Sequence, residues 1–229
     1  MLYHEIHNES NVKIEIIYED NHLIAVFKPA GLLVQGDITG DPNLLDEVRQ
    51  YLKEKYQKPG NVFVGLIHRL DRPVSGIVLF AKTSKGASRL SRQFRDNTIK
   101  KTYHALVLGK PRQGSATLEH QLLKDEAAKK AAVDPRGDLS VLHYETVSSN
   151  GTYSLLRIEL ETGRFHQIRA QLSAIGHAVM GDVKYGAPGS LSDGSIALCA
   201  TELSFQTATS GESVTLSVPY PPVWDDWLN

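Results

Sequence analysis

The chain has 229 residues, with 25 lysines and arginines against 26 aspartates and glutamates, a formal charge of −1. Hydrophobic residues make up 41% and charged residues 22%, the proportions of a folded soluble domain, which excludes a disordered or collagen-like chain. The one cysteine, Cys199, excludes a disulfide scaffold and fits a reducing compartment. No apolar run approaches the ~18 residues that span a bilayer. Met1 to Glu19 hold no apolar core of a secretory signal. These features read as a cytoplasmic protein with no membrane partner, and the length and lack of repeats suit one compact domain over 1–229.

In chain order, Val12 to Tyr18 alternates like a strand, and Leu23 to Lys28 is a short buried strand ended by Pro29-Ala30-Gly31. Asp41-Pro42 looks like a helix cap followed by a first-turn proline, and Leu44, Leu45, Val48, Tyr51, Leu52 and Tyr56 recur at helical spacing, so a helix is predicted over 42–57. Val62 to Ile67 and Ile77 to Ala81 read as strands flanking the loop His68 to Gly76. Thr83 or Ser84 caps a second helix whose buried stripe is Ala87, Leu90 and Phe94. Lys101 to Leu108 alternates like a strand, and residues 108–138 look like an irregular insertion. Segments 140–147 and 153–160 pair across Asn150-Gly151, a strong hairpin signal. Gln167 to Ile175 reads as a helix stopped by Gly176, and short strands follow near 196–200, 202–206 and 213–218. Strands outnumber helices and hairpin links prevail, so the expected fold class is α+β, with a mixed, mainly antiparallel sheet flanked by helices and loops.

Three polar clusters are candidates for chemistry. The densest is His68-Arg69-Leu70-Asp71-Arg72-Pro73-Val74-Ser75-Gly76, a loop between buried strands. Asp71 has cations on either side that favour its charged form, and such a carboxylate serves as nucleophile or base, or simply closes a turn. The second is Thr162 to Arg169. If its helix begins near Phe165, His166 and Arg169 share a face, and with Arg164 they suit a phosphate or carboxylate. The third is Lys101-Thr102-Tyr103-His104-Ala105, where Lys101 and Tyr103 point to one side of a strand. From Lys82 to Lys101 there are seven cations against Asp96 alone, a local charge of +6, with Arg89 and Arg92 away from the buried stripe. That segregation suits a phosphate backbone as well as an ordinary solvated helix face. The nine histidines include no zinc-binding spacing, and neither nucleotide-binding glycine motif is present, so no metal and no cofactor are expected.

Together these blocks resemble the RluA family of pseudouridine synthases. His68-Arg69-Leu70-Asp71 with Ser75-Gly76 is similar to the family's H-R-L-D-x-x-T-S-G. Lys101-x-Tyr103-x-Ala105-x-Val107-x-Gly109 is similar to its K-x-Y-x-A-x-V-x-G strand. Thr162-Gly163-Arg164 and His166-Gln167-Ile168-Arg169 resemble T-G-R-x-H-Q-I-R, and Gly181-Asp182-x-x-Tyr185-Gly186 resembles G-D-x-x-Y-G. Tyr18-Glu19-Asp20 and Lys28-Pro29-Ala30-Gly31 resemble two N-terminal segments. The blocks stand in family order from Tyr18 to Gly186. Val74 departs from the usual threonine, Phe27 from a frequent asparagine, and Ala178-Val179 from Pro-Ile.

The resemblance implies a pseudouridine-synthase-like catalytic domain, minimal in that its motifs begin by Tyr18 and leave no room for the S4 RNA-binding domain that the family often carries. It implies isomerisation of uridine to pseudouridine in structured ribosomal or transfer RNA, without a cofactor. Separately from the resemblance, the chain is expected to be a monomer. Asp71 would be the essential carboxylate, acting at the sugar, at the base or on a glycal-like intermediate. Arg169 would be its ionic partner, and Tyr103 would pack on the uracil. Arg69 would fill the gap left by a flipped-out nucleotide, since a stacked base hides its C1′ and C5. His68, Lys101, Arg164, His166, Arg89 and Arg92 would bind RNA. A catalytically silent RNA-binding or ribosome-assembly protein, a base-releasing glycosylase and a non-RNA carboxylate hydrolase are the competing readings.

Overall fold

The computed structural model describes residues 14–229, so Val12 and Lys13 of the first predicted strand lie outside the described residues. The chain groups into two compact units, residues 14–99 with Ser204–Ser217, and Lys100–Leu203 with Val218–Asn229. Each contains both strands and helices.

In the first unit, β1 (Glu15–Glu19) pairs with β2 (Leu23–Lys28), which pairs with β4 (Ser75–Ala81); the two-residue β3 (Gly65–Leu66) also lies on β4. All three pairings are antiparallel. Every residue of β4 is buried, which explains its unbroken apolar run. The predicted strand 62–67 shrinks to β3, with Phe63 left 52% exposed. Helix α1 spans Leu44–Lys55, two residues shorter at each end than predicted. Its cap is Asn43, whose side chain accepts from the Asp46 amide, while Asp41 instead forms an ion pair with Arg72 at 2.8 Å. Helix α2 spans Ser84–Arg95 and is capped by Thr83, as one of the two predicted caps.

In the second unit the strand order is β10-β5-β9-β8-β6-β7, from β5 (Lys100–Leu108), β6 (Ser115–Asp125), β7 (Lys130–Val133), β8 (Asp138–Ser149), β9 (Tyr153–Leu160) and β10 (Leu198–Gln206), the last ending in the first unit. Pairings β5/β9, β6/β7, β6/β8 and β8/β9 are antiparallel, and the β8–β9 hairpin turns at Asn150-Gly151 as predicted. Residues 108–138 are not irregular: they supply β6 and β7. The two short strands expected at 196–206 are one continuous β10, and β11 (Ser213–Ser217) pairs with it. Helix α3 (Gln167–Ala174) packs on β6 and β7 through a core of Leu122, Ala131, Ala170 and Tyr185. The molecule is α+β with mainly antiparallel strands. No helix among the described residues is long and apolar enough to cross a membrane.

Candidate functional site

Asp71 lies in the first unit, and Tyr103 and Arg169 lie in the second. The loop carrying Asp71 leaves β3 and re-enters the sheet at Ser75. Leu70 and Val74 are buried on either side of Asp71, and a turn is closed by the Val74 amide donating to the Asp71 carbonyl at 3.0 Å. Beneath it sits Lys28, fully buried, whose ammonium donates to the carbonyls of Pro29 (3.0 Å), Leu32 (2.8 Å) and Arg72 (3.1 Å). Burial pulls the Lys28 pKa down to about 8, against the opposing pull of Asp71. A buried cation satisfied by three main-chain oxygens is a brace: it ties the Pro29–Leu32 turn to the Asp71 loop, and the Gly31 amide adds a second tie to the Arg72 carbonyl at 2.8 Å.

The neighbours of Asp71 divide between fold and surface. His68 Nε2 accepts from the Leu79 amide at 2.9 Å, and its ring stacks on Phe94 with centroids 4.9 Å apart. His68 therefore joins the loop to β4 and α2, a structural task beside the RNA contact expected of it. Arg69 is exposed and reaches Gln35 at 3.4 Å. Arg72 turns away to the Gly31 carbonyl and Asp41. Arg89 and Arg92 are exposed on α2, while Leu90 is its buried anchor.

In the second unit, Tyr103 stands opposite Ile158 on β5. Lys101 lies two residues earlier on the same face, and burial lowers its pKa. Its ammonium lies against Gly163, where a side-chain carbon would come within 3.6 Å of it. The Thr162–Arg169 loop is held by one glutamine. Gln167 accepts at Oε1 from the Thr162 hydroxyl (2.8 Å) and the Arg164 amide (3.0 Å), and donates from Nε2 to the Val141 carbonyl (3.0 Å). Arg164 is exposed, with its guanidinium 3.7 Å from Asp138.

His166 is not on the face of α3. It precedes the helix in the left-handed region, φ 51°, which costs a non-glycine residue about 1 kcal/mol or more. The turn stacks its ring on Phe165 and brings Nδ1 to 2.9 Å from the Tyr185 hydroxyl. Tyr185 is therefore where His166 and Arg169 meet, since the Arg169 guanidinium lies 4.9 Å from its ring centroid. Arg169 is 5% exposed and donates from Nε and Nη2 to the two carboxylate oxygens of Asp182, at 2.6 and 2.9 Å.

Comparison with known proteins gives this arrangement a family. Residues 22–174 match the model described as RNA pseudouridylate synthase. The chain belongs to that family. It is 35% identical over 228 residues to the ribosomal large subunit pseudouridine synthase D of Zymomonas mobilis, covering 94% of this chain and 72% of that one. It is 34% identical over 237 residues to the tRNA pseudouridine synthase C of Yersinia pestis, covering 94% and 90%. Its fold matches the human RNA pseudouridylate synthase domain containing 4, with a TM-score of 0.76 at 22% identity, over 92% of this chain and 90% of the other. In this synthase, sequence reasoning missed Lys28, Gln167, Asp182 and Tyr185 as supports of the candidate residues. All four stand in the motif blocks that carry the resemblance, which was the available signal.

Proposed function

We propose that the chain converts specific uridines of a ribosomal or transfer RNA to pseudouridine, its two units working as one catalytic domain of a cytoplasmic monomer. The reading rests on one observation: Asp71, Tyr103 and Arg169 all fall within residues 22–174, at matched motif positions in a member of this family. Asp71 is the essential carboxylate and acts on a nucleotide flipped out of the RNA. The N1–C1′ bond breaks, the uracil turns, and C5 bonds to C1′; C5 loses a proton and N1 gains one, so the mass is unchanged. Tyr103 packs against the uracil. Arg169 supplies the buried cation that the reaction needs beside negative charge. Arg69 enters the space the nucleotide vacates, and Lys101, Arg164 and His166, with His68 at the loop base, contact the RNA near the target. The exposed Arg89 and Arg92 grip phosphates further away.

RNA from cells with and without the gene is compared by carbodiimide labelling and primer extension. The expected result is loss of one or a few stops, restored by wild type and not by Asp71→Ala. Restoration by Asp71→Ala refutes the role of the carboxylate, and release of free uracil points to the glycosylase reading.

A further inference from the structure

The motif blocks nominate Arg169 but give Asp182 no task. The structure shows a carboxylate only 1% exposed, gripping a cation only 5% exposed through two bonds along one edge of its guanidinium. A buried ion pair of this kind contributes little net stability compared with apolar side chains of the same size. Its distinctive property is orientation, because the arginine fork is planar and a two-point grip fixes that plane. Here both partners of the grip are held by packed structure. The Tyr185 ring lies 4.9 Å from the guanidinium carbon, and that ring sits in the core with its hydroxyl accepting from the Ala131 amide at 2.8 Å. The backbone at Asp182 is closed into a tight turn, its amide donating to Val179 and its carbonyl accepting from Tyr185 and Ala187. The preceding Gly181 has φ 83°, and a side-chain carbon there would come within 2.8 Å of Leu191 and of the Ser195 carbonyl. Asp182 cannot move without unpacking this turn.

We propose that Asp182 is a positioning residue for the isomerisation, acting through Arg169. It grips one edge of the guanidinium and so fixes the plane of the whole group in a single orientation. The inference rests on the function proposed above. It predicts that loss of Asp182 slows the chemical step without loosening RNA binding, because Asp182 itself is sealed from solvent.

The full chain carrying Asp182→Asn, Arg169→Gln or both is assayed on the RNA whose stop is lost in the labelling experiment, with single-turnover rate and affinity measured separately. Each single variant is expected to lose about 100-fold in rate and to bind RNA within about threefold of wild type. The double variant is expected to be no slower than Arg169→Gln, because two residues acting as one unit do not lose twice. A folded Asp182→Asn protein with a wild-type rate overturns the proposal. So does a double variant about tenfold or more slower than Arg169→Gln, the result of a merely structural role. If Asp182→Asn alone does not fold, having left a buried cation unpaired, the comparison of the double variant with Arg169→Gln decides. The Arg169 Nε–H signal in a proton–nitrogen spectrum needs no substrate and is expected to exchange slowly in wild type and quickly in Asp182→Asn. A wild type that modifies no uridine defeats the functional reading. The same spectrum then judges the anchoring of Arg169 by itself, and an unchanged signal in Asp182→Asn overturns it.

Discussion

Replacing Lys28 with methionine keeps an unbranched chain of similar length and removes only the ammonium. The carbonyls of Pro29 and Leu32 then lose their donor, at contacts of 3.0 and 2.8 Å, and that of Arg72 loses its 3.1 Å contact but keeps the Gly31 amide. An orphaned buried acceptor costs about 1–3 kcal/mol, and the relief of no longer burying a charge offsets part of the sum. The net cost is about 3 kcal/mol, or a fall of roughly 6–12 °C in Tm at the ~2–4 °C per kcal/mol usual for a chain of this size. The pH dependence is signed. Lys28 titrates at about 8 when folded and near 10.5 when unfolded, so between those values the unfolded chain holds more protons. Wild-type stability therefore rises with pH across that window, and the gap between wild type and Lys28→Met widens from pH 8 to pH 10. Urea unfolding of both proteins across that range measures it. Tm values within 2 °C at pH 7, or a gap that narrows above pH 8, refute the brace.

Three further variants probe the first unit. Gly86→Ala in α2 gains up to about 1 kcal/mol of helix propensity, yet its new carbon would lie 2.6 Å from the His22 carbonyl oxygen, so Tm is expected to fall; a rise shows that the helix shifts freely. Glu19 takes hydrogen bonds from Lys55 (2.7 Å), Lys82 (2.5 Å), Tyr51 (3.0 Å) and Tyr56 (2.7 Å). Burial pushes its carboxyl up, but the bonds from Lys55, Lys82 and Tyr56 outweigh that and hold it at about 2. Glu19→Gln is expected to destabilise near neutrality, and the difference from wild type should shrink as pH falls from 5 toward 2; unfolding curves that stay parallel over that range contradict the assignment. Arg89→Ala with Arg92→Ala is expected to leave Tm unchanged, weaken RNA binding, and lower the slope of log affinity against log salt by about 2; an unchanged slope removes α2 from the RNA surface.

Local signals were legible wherever one short stretch decides its own conformation. Asn150-Gly151 dictated its hairpin, with the Asn150 side chain accepting from the Thr152 and Tyr153 amides. Thr83 capped α2 for the same reason. The insertion 108–138 was misread because the alternation in β6 runs through residues that do not look apolar. Ala116, Leu118, His120 and Leu122 point inward, but only the two leucines are buried, and Gln171 meets His120 and the Leu118 carbonyl. At the start of α1, Asp41-Pro42 carried the stronger local pattern. The decision went instead to Asn43, buried to 5% exposure and bonded through both ends of its amide to Asp46.

The same division runs through the candidate site. Residue type and spacing nominated Asp71, Tyr103 and Arg169, because charge, aromaticity and motif order are written in the sequence. Their orientation is not, because it comes from partners chosen by the folded chain. Lys28 reaches 44 residues to the Arg72 carbonyl, and Tyr185 links His166, Ala131 and Arg169 from three different elements. The left-handed turn at His166 makes the point most directly. A helical His166 would share a face with Arg169 by spacing alone, whereas the observed turn gives both residues a common neighbour in Tyr185. Proximity was thus inferred through the wrong geometry. The blocks K-P-x-G and G-D-x-x-Y-G, which carry no candidate reactive group of their own, supply ties that hold the two candidate loops in place.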